Sequence, residues 1–140
     1  MTFCGIDLVH IPRFNNWTHY TDQQLATLFT VNEIAEFKTK GLTQAAFLAS
    51  RFAVKEACYK AVSSLCAHHA ELAIQPFSFR TIAPFIELHK DTQWGVPTIQ
   101  INHDGFFVKT GITLPLVAYS VSLSHEHEYA IAQVVAEMIF

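Results

Sequence analysis

The chain has 140 residues, of which 51% are hydrophobic and only 15% charged, with a net charge of −3. That length holds one domain, residues 1–140, with one real core. The composition excludes a disordered chain, and the acidic balance excludes a global basic footprint for nucleic acid. No apolar stretch is long and uncharged enough to span a bilayer, and the N-terminus lacks the layout of a signal peptide. Cys4, Cys58 and Cys66 are odd in number and lack metal-ligand spacing, which reads as reduced thiols in the cytoplasm. Twelve phenylalanines are much apolar surface for so short a chain, and they point to a homo-oligomer.

Residues 3–11 read as a strand rich in branched aliphatics, stopped by Pro12. Thr21 and Gln24 have capping-box spacing and open a short helix through Leu28. Thr30 and Glu33 repeat the signal for a second helix to about Thr39, ended by Gly41. Thr43 is then expected to cap a long helix to about Leu65, full of Ala, Leu, Phe, Lys and Glu. After Pro76 the pattern predicts strands at 77–82, 85–89 and 97–102, with turns at Asp91–Gly95–Pro97 and His103–Asp104–Gly105. Residues 118–123 and 129–136 pair by pattern as a closing hairpin across 124–128. Helices in the first half and strands in the second predict an α+β fold, one long helix packed on a mainly antiparallel sheet.

Two carboxylates stand out. Asp7 lies in the apolar run Gly5-Ile6-Asp7-Leu8-Val9, where an unpaired buried charge would be expensive. Glu56 lies in the long helix. Residues four apart share a helix face, so Phe52, Glu56 and Lys60 form one row and Phe47, Arg51, Lys55 and Tyr59 the next. Arg51 above Lys55 is a like-charge pair that calls for a nearby anion. A solvated Glu56–Lys60 pair is the plain alternative, worth only about 0.2–0.5 kcal/mol. For Asp7 the plain alternative is a strand-end carboxylate paired with a lysine. Two carboxylates with a row of cations also make a sensible site for Mg²⁺ and a polyphosphate, because Mg²⁺ takes hard oxygens and often only one or two protein carboxylates.

Four segments together resemble the holo-acyl-carrier-protein synthases, the short class of phosphopantetheinyl transferase. They are Gly5-Ile-Asp7-Leu-Val-His-Ile-Pro-Arg13, Phe29-Thr-Val-Asn-Glu33, Ala49-Ser-Arg51-Phe52-Ala-Val-Lys55-Glu56-Ala-Cys-Tyr-Lys60-Ala61, and Val121-Ser-Leu-Ser124-His125-Glu126 with Tyr129-Ala130-Ile-Ala132. Gly95-Val-Pro97 resembles the family's Gly-x-Pro turn. The resemblance implies transfer of the 4′-phosphopantetheine arm of coenzyme A to a serine of an apo acyl carrier protein, in fatty-acid or polyketide and polyunsaturated-lipid synthesis, with release of adenosine 3′,5′-bisphosphate. It implies Asp7 and Glu56 as Mg²⁺ ligands, with Asp7, Glu56 and Lys60 as the catalytic set, Glu56 as base and Lys60 on the pyrophosphate. Arg51, Lys55, Lys60, Ser63, Ser124 and His125 are the implied coenzyme A contacts, and Arg13 the carrier contact. It also implies a homotrimer with sites between subunits.

The sequence departs from the family where a glycine-rich loop usually follows the signature lysine. Here Ala61-Val-Ser63-Ser64-Leu-Cys66-Ala-His68-His69 has no glycine. Ser50 and Phe3 also stand where the family has glycine. A non-catalytic coenzyme A-binding homologue, acting as an interaction module, is the competing reading. His125 and His127 are spaced to chelate a metal from one strand face, but no third ligand has tetrahedral-site spacing.

Overall fold

The computed structural model describes residues 1–72 and 75–139. Strand β1 (Thr2–His10) leads through two 3-10 turns to the short helices α1 (Asp22–Leu25) and α2 (Val31–Phe37). Helix α3 (Gln44–His68) follows, then α4 (Phe79–Ile82), β2 (Ile86–Lys90), β3 (Pro97–Ile101), α5 (His103–Thr110), β4 (Val117–Glu126) and β5 (Tyr129–Met138). β1, β5 and β4 form an antiparallel sheet in that order, and β2 pairs with β3 in a separate ribbon. The expected α+β architecture, a long helix on an antiparallel sheet, is what the chain adopts.

Both predicted capping boxes form. The Thr21 and Thr30 hydroxyls accept from the backbone of Gln24 and Glu33, whose side chains reach back to the cap amides. Three expectations fail for local reasons. Residues 77–82 are not a strand: Ser78 accepts from the Thr81 amide at 3.2 Å and winds Phe79–Ile82 into a helical turn. His103–Gly105 is not a simple turn, because the Asn102 side chain accepts from the Gly105 amide and starts α5, which Gly111 ends at φ 71°. Thr43 does not cap α3 with its side chain, since its hydroxyl donates back to the Lys40 carbonyl.

Helix α3 is the axis of the molecule and is buried on nearly every side. The row Ala49, Ala53, Ala57 and Ala61 is fully buried and faces small residues of the sheet, among them Ala130, Ala132 and Ala136. Gly5 is what lets β1 lie on this row. A methyl group at Gly5 would run into the Ala57 carbonyl oxygen and stand 2.9 Å from the Ala61 nitrogen. On the opposite side, Phe14, Phe52, Phe79 and Trp17 interlock edge to face, an arrangement that adds to simple area burial.

The third face of α3 carries charge inward. Lys55 is 1% exposed, pairs with Glu33 of α2 at 2.7 Å, and donates to the carbonyls of Ala83 and Ile86. Arg51, one turn earlier, is also buried, with Glu36 at 3.8 Å and the Phe47 ring 4.3 Å below its guanidinium. The expected role of these two cations in holding coenzyme A phosphates is therefore corrected. Lys55 has all three protons engaged, and Arg51 stands on the same inward row. The anion their like-charge spacing called for is supplied by α2.

Breaking a buried pair strands its partner's charge. Lys55→Met is therefore expected to cost about 3–5 kcal/mol in chemical denaturation, whereas replacing the half-exposed Lys60 by Met costs under about 1 kcal/mol.

Candidate active site

Alternation along β1 turns Phe3, Gly5 and Val9 toward α3 and Thr2, Cys4, Ile6, Leu8 and His10 outward. Asp7 shares the inner parity, opposite Ala132 of β5. Because Gly5 lets the strand touch the helix backbone, Asp7 meets α3 one turn further along, at Glu56 and Lys60. Lys60 Nζ donates to the Ile6 carbonyl at 2.8 Å and to Asp7 Oδ1 at 3.2 Å. The plain Glu56–Lys60 pair is thus not the one that forms. Asp7 Oδ2 is buried without a hydrogen-bond partner.

Both carboxylates are held above their ordinary range. Burial raises Asp7, and Lys60 and Arg13 pull it back only in part. Burial raises Glu56 too, reinforced by the negative charge of Asp7 and opposed by Lys60 and Arg13. The two groups share one electrostatic environment rich in unsatisfied negative potential. An orphaned oxygen, a second carboxylate in range and no soft donor fit a hard divalent cation that completes its shell with substrate oxygens and water. Among the described residues, no three His, Cys, Asp or Glu side chains converge on a metal position. His127 does not continue β4 but sits in the hairpin turn at φ 54°, so the two-histidine chelate on one strand face does not form.

The remaining expected residues divide. Ser63, one turn beyond Lys60, lines a cavity of about 260 Å³ with Tyr59, Cys66, Ala67, Gln75 and Phe77. Ser124 and His125 are exposed near the end of β4, the strand on the far side of β5. Two strand spacings, about 10 Å, separate that strand from β1, and Ser124 points to the outer face whereas Asp7 points in. One chain does not bring them together. Arg13 lies beside the carboxylates, its guanidinium 4.8 Å from the Phe52 ring. Sequence reasoning missed Glu33 and Glu36 as partners of the signature cations. Their spacing of three on α2 against four for Arg51 and Lys55 on α3 was the available signal.

Residues 3–134 match the model of the 4′-phosphopantetheinyl transferase superfamily, so the chain belongs to that superfamily. Within it the chain is an enzyme of the short holo-[acyl-carrier-protein] synthase class. It is 31% identical over 138 residues to the holo-[acyl-carrier-protein] synthase of Borrelia garinii, covering 98% of this chain and 99% of that one. To the synthase of Mycobacterium leprae it is 34% identical over 135 residues, covering 96% and 95%. Among solved structures, a Chronobacterium ammoniagenes ACPS–CoA complex superposes with a TM-score of 0.74 at 26% identity, covering 100% of this chain and 99% of that one.

Raised carboxylate pKa values have a sign for stability. The folded state binds these protons more tightly than the unfolded chain, so Asp7 and Glu56 cost stability above their ordinary range and the cost fades as pH falls through the raised values. Asp7→Asn removes one such charge. At pH 7 its thermal midpoint should equal or exceed that of the metal-free parent, with the advantage shrinking on acidification in calorimetry.

Proposed function

We propose that this chain transfers the 4′-phosphopantetheine arm of coenzyme A to a serine of an apo acyl carrier protein, with Mg²⁺ held by Asp7 and Glu56. The observation that carries the reading is the unpartnered Asp7 oxygen beside Glu56 and Lys60. The names of the relatives support the substrates. When bound, Mg²⁺ supplies charge neutralisation at the phosphate oxygens. Glu56 takes the carrier serine's proton, directly or through a water, and its raised pKa favours that task near neutral pH. The serine oxygen bonds to the phosphorus next to the pantetheine arm, the bond to the leaving phosphate breaks, and adenosine 3′,5′-bisphosphate departs. Lys60 steadies the charge that develops on the leaving group. Such transfers depend on positioning and electrostatics more than on covalent help from the protein.

Coenzyme A is expected to run from this cluster past Ser63. Ser124 and His125 reach it only from a neighbouring subunit, which is the reason to propose a homotrimer with sites between chains. The outer face of the sheet suits that assembly, since Ile6, Leu8, Tyr129 and Ile131 are 39–61% exposed and adjacent across β1 and β5. No helix among the described residues is long and apolar enough to cross a membrane. Cys58 and Cys66 are buried free thiols, and burial pushes Cys58 up to about 12, which suits inert structural cysteines in the reducing cytoplasm.

Incubation with an apo carrier protein, coenzyme A and Mg²⁺ should add one phosphopantetheine by intact mass, and EDTA should abolish the gain. Glu56→Gln should lower the rate at least about 100-fold. No gain across several carriers by folded protein would instead favour the non-catalytic coenzyme A-binding homologue.

Leu8→Glu should dissociate the assembly in analytical ultracentrifugation and depress transfer with it. An unchanged sedimentation coefficient would remove the outer sheet face as the interface.

A further inference from the structure

Arg13 closes the 3-10 turn Ile11–Phe14 directly after β1. Its guanidinium carbon lies 4.8 Å from the centre of the Phe52 ring and 5.3 Å from that of Phe14. Phe52 is itself wedged against Phe14, Trp17 and Phe79, with ring centres 5.2–5.7 Å apart, so the platform beneath Arg13 is fixed. Phe52 also precedes Glu56 by one turn of α3 and lies on the same row. Arg13 is therefore held at the catalytic end of the helix. Its charge reaches both site carboxylates, yet Asp7 pairs with Lys60, and Glu56 pairs with no cation among the described residues. The edge of the guanidinium remains free for an incoming anion.

We propose that Arg13 binds a pyrophosphate oxygen pair of coenzyme A, with its plane seated on Phe52 and its fork open to the anion; this rests on the transferase reading above. Charge balance argues for phosphate over the carrier contact expected from the resemblance. Two carboxylates cancel a divalent cation, which leaves Lys60 and Arg13 against the two negative charges of a pyrophosphate diester. No other cation of the signature is available, because Arg51 and Lys55 are spent on Glu36 and Glu33. A carrier carboxylate at the same position would crowd a third negative group against two that burial already disfavours. A planar fork seated on an aromatic ring is the geometry in which arginine exceeds lysine for phosphate.

Titration calorimetry with coenzyme A and Mg²⁺, without any carrier, tests this directly. Arg13→Gln keeps a polar stem over Phe52 and is expected to weaken coenzyme A about 10–100-fold, with Arg13→Lys recovering only part of the loss. Lys109→Ala, on the remote helix α5, serves as the control and should bind as the parent does. Thermal unfolding of each variant, run alongside, establishes that the protein measured is folded. If Arg13→Gln binds coenzyme A within two-fold of the parent while its KM for the carrier rises, the arginine belongs to the carrier and the proposal is overturned. If the unaltered protein itself binds no coenzyme A, the transferase reading fails first and the proposal falls with it.

Discussion

The contact between β1 and α3 is the constraint on which the rest depends. A strand lies this close to a helix only when neither surface has side-chain bulk, and Gly5 over Ala57 and Ala61 provides that. The strand and helix are distant in sequence and contribute one carboxylate each. With a spacing of one extra methyl the Asp7 side chain would be lifted away from Lys60, whose reach to the Ile6 carbonyl shows how tightly the two elements are joined. The same closeness desolvates Asp7 and raises both carboxylates. Packing thus generates the electrostatic tension that a bound cation relieves. An active site assembled in this way is costly to the empty protein, which is a common consequence of placing function in a core.

The basic residues of the central helix illustrate how burial decides role. Arg51, Lys55 and Lys60 are all cations of one sequence string, and a helical projection alone places them on adjacent rows. The fold separates them by about a quarter-turn or more, and that is enough. Lys55 and Arg51 turn toward α2 and end in ion pairs with Glu33 and Glu36, while Lys60 turns toward β1 and stays half exposed. Buried pairs of this kind contribute less to stability than their geometry suggests, because both charges are stripped of water. Their effect lies in orientation. Lys55 ties α3 to α2 and to the backbone ahead of β2, which fixes the rotation of α3 about its axis and hence the direction of the next residue, Glu56.

Much of this was legible in the sequence, and the failures have definite causes. The capping boxes at Thr21 and Thr30, the long alanine-rich helix and the closing hairpin follow from local rules that tertiary contacts did not override. Residues 77–82 misled because Phe77 and Phe79 alternate as in a strand, although both instead pack on α3 from a helical turn that Ser78 starts. Asn102 was read as the end of a strand when its side chain was the start of a helix. In the site, Asp7, Glu56 and Lys60 were visible because a charge in an apolar strand demands a partner. Arg51 and Lys55 were misassigned because periodicity gives the angle between rows but not which row meets solvent. That choice belongs to α2, whose acidic pair is distant enough in sequence to escape any local pattern.

The sheet has two faces with different obligations, and this explains the division of the expected residues. Its inner face is nearly all Ala, Val, Gly and Phe, sized to α3, and admits one charged exception at Asp7. Its outer face mixes Ile6, Leu8, Tyr129 and Ile131 with the serines of β4. Such a face is too apolar to be left in water without cost and too polar to be a second core, the composition expected of a surface that meets another folded chain. Ser124 and His125 sit at the margin of that face, pointing away from the carboxylates of their own chain. Residues that face outward beside an apolar patch can complete a site only across an interface. The geometry of one subunit therefore carries the argument for a shared site, independently of any count of subunits.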